Sequence, residues 1–453
     1  MKNKLKFHIS TTKIIILSFL LAIFVGSALL SLPISTKSGE SVAYIDALFT
    51  STTATCVTGL VTLPTATTWS VFGQIVILIL IQIGGLGIIN MMAFLLVMLS
   101  KKMGLYDSYL LGDAFNLNSI SGISKFLKNV VIGTFVIEGI GALLYMTVFV
   151  PKFGLKGIWI SVFNSISAFC NAGIDIIGEN SLIPYATNPT VNLTTSFLII
   201  MGGIGFIVWW DFIRVFKMWK TLKLKCLKRL TLHSKIAISA TLALIFSGAI
   251  LIFIFEYNNP STIKDMSLFD KIQVSLFQSI TTRTAGFATL PQESLSDASA
   301  ATCLVLMFIG GSPVGTAGGV KTVTFIVLFA TMYSVIKNKD EISIFNRNLS
   351  LQAIKKAVAV TSMSFIIMAL STVMLMASTN ASALDILYET VSATATVGLT
   401  RNLTPFLNVF GKTVIILTMY FGRIGPISLF IAFSAKKPVI NSIKNPTEEI
   451  SVG

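Results

Sequence analysis

The chain alternates long apolar runs with short polar stretches, and the runs have the length of a bilayer crossing. They lie at Ile14–Leu32, Val71–Leu99, Val130–Val150, Val191–Val215, Ile236–Phe255, Thr302–Phe329, Val358–Met376 and Thr413–Phe433. Each reaches the roughly 17 to 25 residues a helix needs to cross hydrocarbon, so the pattern predicts eight spans. The first run follows several lysines, as in a signal sequence, but no small-residue cleavage site stands out, which predicts a retained helix. Inside each pair of spans lies a shorter amphipathic run: Val42–Thr53, Gly157–Ala168, Leu268–Ile280 and Ser382–Ala393. At roughly a dozen residues these are too short to cross.

Every short run leads into small residues, then a glycine, then an apolar side chain: Ala54–Leu60, Ala168–Ile174, Thr281–Phe287 and Ala393–Leu399. The glycines are Gly59, Gly173, Gly286 and Gly398, spaced 114, 113 and 112 residues apart. Such a period predicts an all-α polytopic membrane protein of four repeats, each span–short helix–span, in pseudo-fourfold symmetry around a central pore. The expected divisions are 1–100, 129–220, 232–337 with a broken second span, and 354–435, followed by a cytosolic tail at 436–453. Phe49, Phe163 and Tyr388 stand ten residues before their glycines but Phe277 only nine, so the third arm is expected to depart from ideal fourfold geometry.

Charge fixes the topology. Only 12% of residues are charged against 54% hydrophobic, which excludes an ordinary soluble protein. The net charge of +15 is no nucleic-acid signature, because the basic residues sit between spans: at the amino terminus, Lys101–Lys128, Arg214–Lys235, Lys337–Lys356 and the tail. The positive-inside rule places these segments and both termini in the cytosol of a plasma-membrane protein. If the short helices crossed, successive basic linkers would alternate sides, so each must enter and return on the outer face. Cys56, Cys170, Cys226 and Cys303 show no CxxC pairing and the only histidines are His8 and His233, so neither a zinc site nor a disulfide framework is expected.

Irregular backbone at membrane depth is tolerated only when buried in protein or lining an aqueous path. Four re-entrant segments around one axis therefore predict a pore, with the short helices' carbonyl ends favouring a cation. Asp46, Asp270 and Asp385 fit the opposite ends of those helices, most simply as N-capping acids. A dehydrated monovalent cation needs rings of backbone carbonyls, with glycine supplying the required positive φ. The candidate filter is Thr55, Cys56, Val57, Thr58 and Gly59; Phe169, Cys170, Asn171, Ala172 and Gly173; Thr282, Arg283, Thr284, Ala285 and Gly286; and Thr394, Ala395, Thr396, Val397 and Gly398. Cys56, Cys170, Arg283 and Ala395 share one position, and their diversity predicts side chains turned away from the ion. No cofactor is expected in this chain, and any metal would be the transported ion at those carbonyls.

The second spans carry Ile83-Gly84-Gly85, Met201-Gly202-Gly203, Ile309-Gly310-Gly311 and Phe421-Gly422-Arg423. An arginine within a span is costly and usually faces a cavity or a partner. About 5 Å from a cation at an effective dielectric of about 20, it would repel by roughly 3 kcal/mol. Repeat three continues through Gly310, Gly311, Ser312, Pro313, Gly315, Thr316, Ala317, Gly318, Gly319 and Lys321, a composition that must break the helix. Val320 stands where a nucleotide-binding loop needs glycine, so this stretch reads as a movable gate below the filter, with Arg423 beside it. Glu138 reads as a packing hydrogen bond to a neighbouring helix. No HExxH, paired carboxylates or Ser-Lys arrangement marks an intramembrane enzyme.

Taken together, the four single-glycine arms, the Gly310–Lys321 segment and Gly422-Arg423 resemble the Trk/Ktr/HKT superfamily of potassium transporters, whose units are M1–P-loop–M2 repeats. Within it the chain is most similar to the Ktr membrane subunit, KtrB type. The resemblance implies potassium uptake, with sodium as an activating ion in many members. It also implies a homodimer in the lipid bilayer and a cytosolic nucleotide-binding regulatory ring of the KtrA/KtrC type. The alternative is the ion-binding subunit of an ATP-driven potassium pump, which shares the repeat plan but is longer.

Overall fold

A computed structural model describes residues 11–87, 123–218, 223–339 and 341–425. The predicted ends of the second spans of repeats one and four, most of the first basic linker, His8 and the tail lie outside these residues. Repeat one comprises α1 (Thr11–Leu30), α2 (Tyr44–Cys56) and α3 (Val71–Leu86). Repeat two comprises α4 (Ile123–Phe153), α5 (Lys156–Phe169), α6 (Pro189–Gly203) and α7 (Phe206–Phe216). Repeat three comprises α8 (Leu232–Glu256), α9 (Leu268–Thr281), α10 (Asp297–Phe308) and α11 (Thr322–Ile336). Repeat four, entered through a hairpin pairing Ser343 with Asn348 and Ile344 with Arg347, comprises α12 (Leu351–Met376), α13 (Ala383–Ala395) and α14 (Val409–Ile424). The fold is an all-α polytopic membrane protein of four such repeats.

The first spans are continuous; α1, α4, α8 and α12 are each long and apolar enough to cross a membrane. The second spans are interrupted more often than the sequence predicts, which expects a break in repeat three alone. Helix α3 stops at Gly87 (φ +83), α14 at Gly425 (φ +87), and α6 turns by 94° into α7 at Gly205 (φ +95). Each of these glycines lies three residues after Gly84, Gly422 or Gly202, and positive φ ends an α-helix there. The break expected of repeat three alone therefore recurs. Repeat three differs in the length of its interruption, between α10 and α11, rather than in having one.

Pore helices pack on first spans through a repeated contact. Ser51, Ser165 and Ser279 donate to the first-span carbonyls of Ile23, Glu138 and Ile245 at 2.7, 2.6 and 2.8 Å. A Cβ on Gly26, Gly141 or Gly248 would come within 2.5 Å of those same hydroxyl oxygens, so the glycines permit the approach. Repeat four substitutes a Thr372–Thr390 hydroxyl pair at 2.8 Å. The aromatic anchors Phe49, Phe163, Phe277 and Tyr388 are all fully buried.

Polar contacts close every junction between neighbouring repeats. Trp159 donates to Gln74 at 2.8 Å, the Leu182 amide donates to the Ala288 carbonyl at 3.0 Å, and Lys412 pairs with Asp46 at 2.6 Å. Arg401 pairs with Asp385 at 2.7 Å and donates across to the carbonyls of Gln292, Glu293 and Leu295. The acids are not the helix caps. Ser267 and Ser382 cap α9 and α13 by accepting from the amides of Asp270 and Asp385, while Asp46 serves the ion pair.

Candidate functional site

The four pore helices end in arms that meet at their glycines. Gly59, Gly173, Gly286 and Gly398 have φ of +99, +66, +79 and +99, where L side chains are disfavoured. A Cβ built on Gly59 would lie 2.5 Å from the Ala172 carbonyl oxygen; on Gly173, 2.6 Å from that of Ala285. On Gly286 it would lie 2.5 Å from the Val397 oxygen, and on Gly398, 2.3 Å from that of Thr58. Each arm thus abuts the carbonyl of the next, and the cycle closes from repeat four back to repeat one. Carbonyls from four chain segments converge on this ring, one side of which opens into a cavity of about 350 Å³ also lined by Asp175, Glu179 and Glu293.

The extended arms are shorter than the sequence spacing predicts. Thr55 and Cys56 still belong to α2, Phe169 to α5, and Thr394 and Ala395 to α13. The chain turns at Val57, Asn171, Thr284 and Thr396, each two residues before its glycine, with φ of +54, +58, +66 and +51. For non-glycine residues this conformation costs roughly 1–2 kcal/mol apiece. Because Thr284 keeps its register, the residue missing after Phe277 is absorbed at the end of α9, and the third arm reaches the ring like the others.

Sequence reasoning missed the hydroxyls that hold the arms. The amides of Gly59, Ile174 and Gly398 donate to the side chains of Thr53, Ser167 and Ser392 at 3.0, 3.1 and 3.0 Å. In repeat three, Thr281 instead donates to the Phe287 carbonyl at 2.7 Å. Their signal was a Ser or Thr recurring five or six residues before each glycine.

Cys56, Cys170, Arg283 and Ala395 are buried behind the arms. The Arg283 guanidinium donates to the carbonyl and hydroxyl of Thr241, both at 3.3 Å. Glu138 takes both of its carboxylate contacts from Gln82, at 3.2 and 3.4 Å, and Gln82 in turn accepts from the Cys170 thiol at 3.5 Å. It braces the second arm from behind, as the packing reading expects.

Residues 309–321 form a lobe whose ends are zipped together. Gly310 donates to Val320 O at 3.0 Å, Val320 to Phe308 O at 3.2 Å and Thr322 to Gly311 O at 3.0 Å. The lobe docks on the break in repeat two: Ser312 and Thr316 donate to the carbonyls of Gly203 and Gly202 at 2.8 and 3.1 Å, and Phe206 donates to Val314 O at 2.9 Å. A Cβ on Gly205 would meet the Pro313 carbonyl at 2.5 Å, and one on Gly310 the Gly318 carbonyl at 2.1 Å. Lys321 donates to Ala317 O at 2.6 Å and Gly318 O at 3.3 Å. Arg423 reaches from α14 to Thr316 O at 2.5 Å and to the carbonyls of Gly84 and Gly85. Its guanidinium is clamped between repeat one and the lobe.

Residues 2–444 match the family model TrkH, described as a cation transport protein. The chain belongs to the TrkH family. It is 39% identical to the Ktr system potassium uptake protein B of Bacillus subtilis (strain 168), over 97% of this chain and 96% of the relative. It is also 37% identical to the potassium/sodium uptake protein NtpJ of Enterococcus hirae, over 100% of this chain and 99% of the relative. The crystal structure of the potassium transporter TrkH from Vibrio parahaemolyticus superposes with a TM-score of 0.73 at 17% identity, covering 96% of this chain and 87% of that one. That likeness extends to the fold of a TrkH-family cation transporter.

The cavity beside the glycine ring adds an electrostatic feature to this family member. Burial pushes the Asp175 carboxyl up to about 6, against hydrogen bonds from Ser181 and the amides of Ile177 and Gly178. Above that pH the group is charged, and on acidification through it the charge is lost. If that charge stands roughly 8 Å from an entering cation, at an effective dielectric of about 60, it changes the local concentration by roughly threefold. Cation uptake below saturation is therefore expected to fall about two- to threefold from pH 7.5 to pH 5, and Asp175→Asn to flatten that profile. A pH-independent flux in the unmodified protein would contradict the assignment.

Proposed function

We propose that this chain carries potassium into the cell, as the membrane subunit of a Ktr-type uptake system. The observation that carries this reading is the closed cycle of four glycine-ended arms, each glycine set against the carbonyl of the next arm. In the proposed path a cation leaves the cavity beside the ring, exchanges water for the backbone oxygens of the arms, and meets the 310–321 lobe and Arg423 below. Carbonyl dipoles replace hydration without a formal charge, which suits a monovalent ion that must also leave. Thr55–Gly59, Phe169–Gly173, Thr282–Gly286 and Thr394–Gly398 are the filter segments in this reading, and Gly310–Lys321 with Arg423 the gate.

The names of the relatives support potassium as the cargo, and that of the Enterococcus protein supports sodium as a second ion; in this reading sodium acts as an activating ion. Membership in a Ktr-type system implies a homodimer with both termini cytosolic and a separate nucleotide-binding regulatory ring beneath it. The test is uptake of rubidium, as a potassium surrogate, by proteoliposomes under an inside-negative potential. Uptake should exceed that of protein-free vesicles and be competed by potassium. No excess, with or without the regulatory ring, would sink the reading.

A further inference from the structure

The turning residues of the four arms are not held alike. Val57, Asn171, Thr284 and Thr396 all sit at positive φ directly before the ring, three of them β-branched, which makes them outliers that surrounding contacts must enforce. Two of them are bonded to the intramembrane lobe. Thr316 Oγ1 stands 3.1 Å from Phe169 O and 3.2 Å from Asn171 Oδ1. The Gly318 amide donates to Thr284 Oγ1 at 3.1 Å. A Cβ on Gly318 would fall 1.9 Å from Thr396 Oγ1, so the lobe lies directly against a third arm. Val57 offers no polar atom. Asn171 and Thr284 are fully buried, so withdrawal of the lobe removes partners that no solvent replaces unless the path itself fills with water.

We infer that Asn171 and Thr284 are positioning residues through which the lobe holds arms two and three, so that opening the gate alters ion selectivity as well as flux. This rests on the filter-and-gate reading above. In the docked state Thr316 and Gly318 hold two strained turns in place; once they leave, those turns are free to relax and the ring loses its match to one ion size. A lobe that merely obstructs the path changes how many ions pass but not which.

The experiment compares rubidium uptake with its inhibition by sodium in proteoliposomes of the full chain. Three variants are used: Thr316→Val, which keeps the lobe and its shape but loses the hydroxyl, Thr284→Val, which removes the acceptor for Gly318, and their combination. The rubidium-over-sodium preference is expected to fall about threefold or more in Thr316→Val while uptake rises. Thr284→Val should move the preference in the same direction, and the double variant should fall short of the product of the two single effects, because both act by releasing the same lobe. Raised uptake with an unchanged preference, or fully multiplying effects, overturns the inference. Gly286→Ser, measured alongside, separates the two levels. If it too leaves the preference unaltered, the filter reading fails and the inference with it; if it alters the preference while Thr316→Val does not, only the inference fails.

Discussion

Serine in place of any ring glycine is expected to lower the potassium-over-sodium preference about tenfold or more, with Gly173→Ser and Gly398→Ser the most damaging. A Cβ at every one of the four positions meets a neighbouring carbonyl oxygen at 2.3–2.6 Å, a separation at which backbone must shift. At Gly173 and Gly398 it also meets a second backbone atom, the Cα of Gly286 at 2.7 Å and of Gly59 at 2.8 Å. Positive φ adds roughly 1–2 kcal/mol of strain for any L side chain. Since about 1.4 kcal/mol is a factor of ten in relative affinity, a modest widening of the ring suffices. Sodium competition against rubidium uptake reads the effect directly. An unaltered preference in folded protein at any one of the four positions would contradict the filter assignment.

Much of this site was legible because each repeat states it again. A single Gly-ended segment reads as a helix cap; four at near-equal spacing, joined to basic linkers on one side, leave re-entry as the consistent topology. What stayed hidden was set by contacts between repeats. Thr55, Cys56, Phe169, Thr394 and Ala395 read as filter because they lie within four residues of a ring glycine and a helix end has no sharp sequence mark, whereas they form the last residues of their helices. The shortened third arm looked like a defect, yet a one-residue change can be absorbed at the end of a helix, and Thr284 shows that it is. The breaks at Gly87, Gly205 and Gly425 were in plain sight three residues beyond Gly84, Gly202 and Gly422. Only the proline and five glycines of repeat three drew notice, since one glycine in an apolar run costs a helix about 1 kcal/mol and is easily read through. Arg423 was legible as a charge at depth that faces a cavity or a partner, but which partners it holds was not, because they are carbonyls of other repeats, and backbone acceptors have no sequence signature.

That clamp makes the second large expectation specific. Arg423→Ala removes bonds to Thr316 O and to the carbonyls of Gly84 and Gly85, and so frees the lobe from repeat one. Charge-assisted hydrogen bonds contribute roughly 1.5–3 kcal/mol, so if the docked lobe limits uptake, flux should rise about tenfold or more. Deleting several residues within Gly311–Gly319 should raise it further, since docking to Gly202 and Gly203 is lost as well. Arg423→Lys decides how the arginine works. Lysine keeps the positive charge but not the planar fork that spans two sets of carbonyls. If the barrier were charge alone, Arg423→Lys would transport at the wild-type rate; if clamping holds the lobe, its rate should fall between wild type and Arg423→Ala. Rubidium uptake in matched proteoliposomes measures all three. Unchanged or lower flux in both Arg423→Ala and the deletion, with the protein folded, would show that neither the arginine nor the lobe restrains the ion.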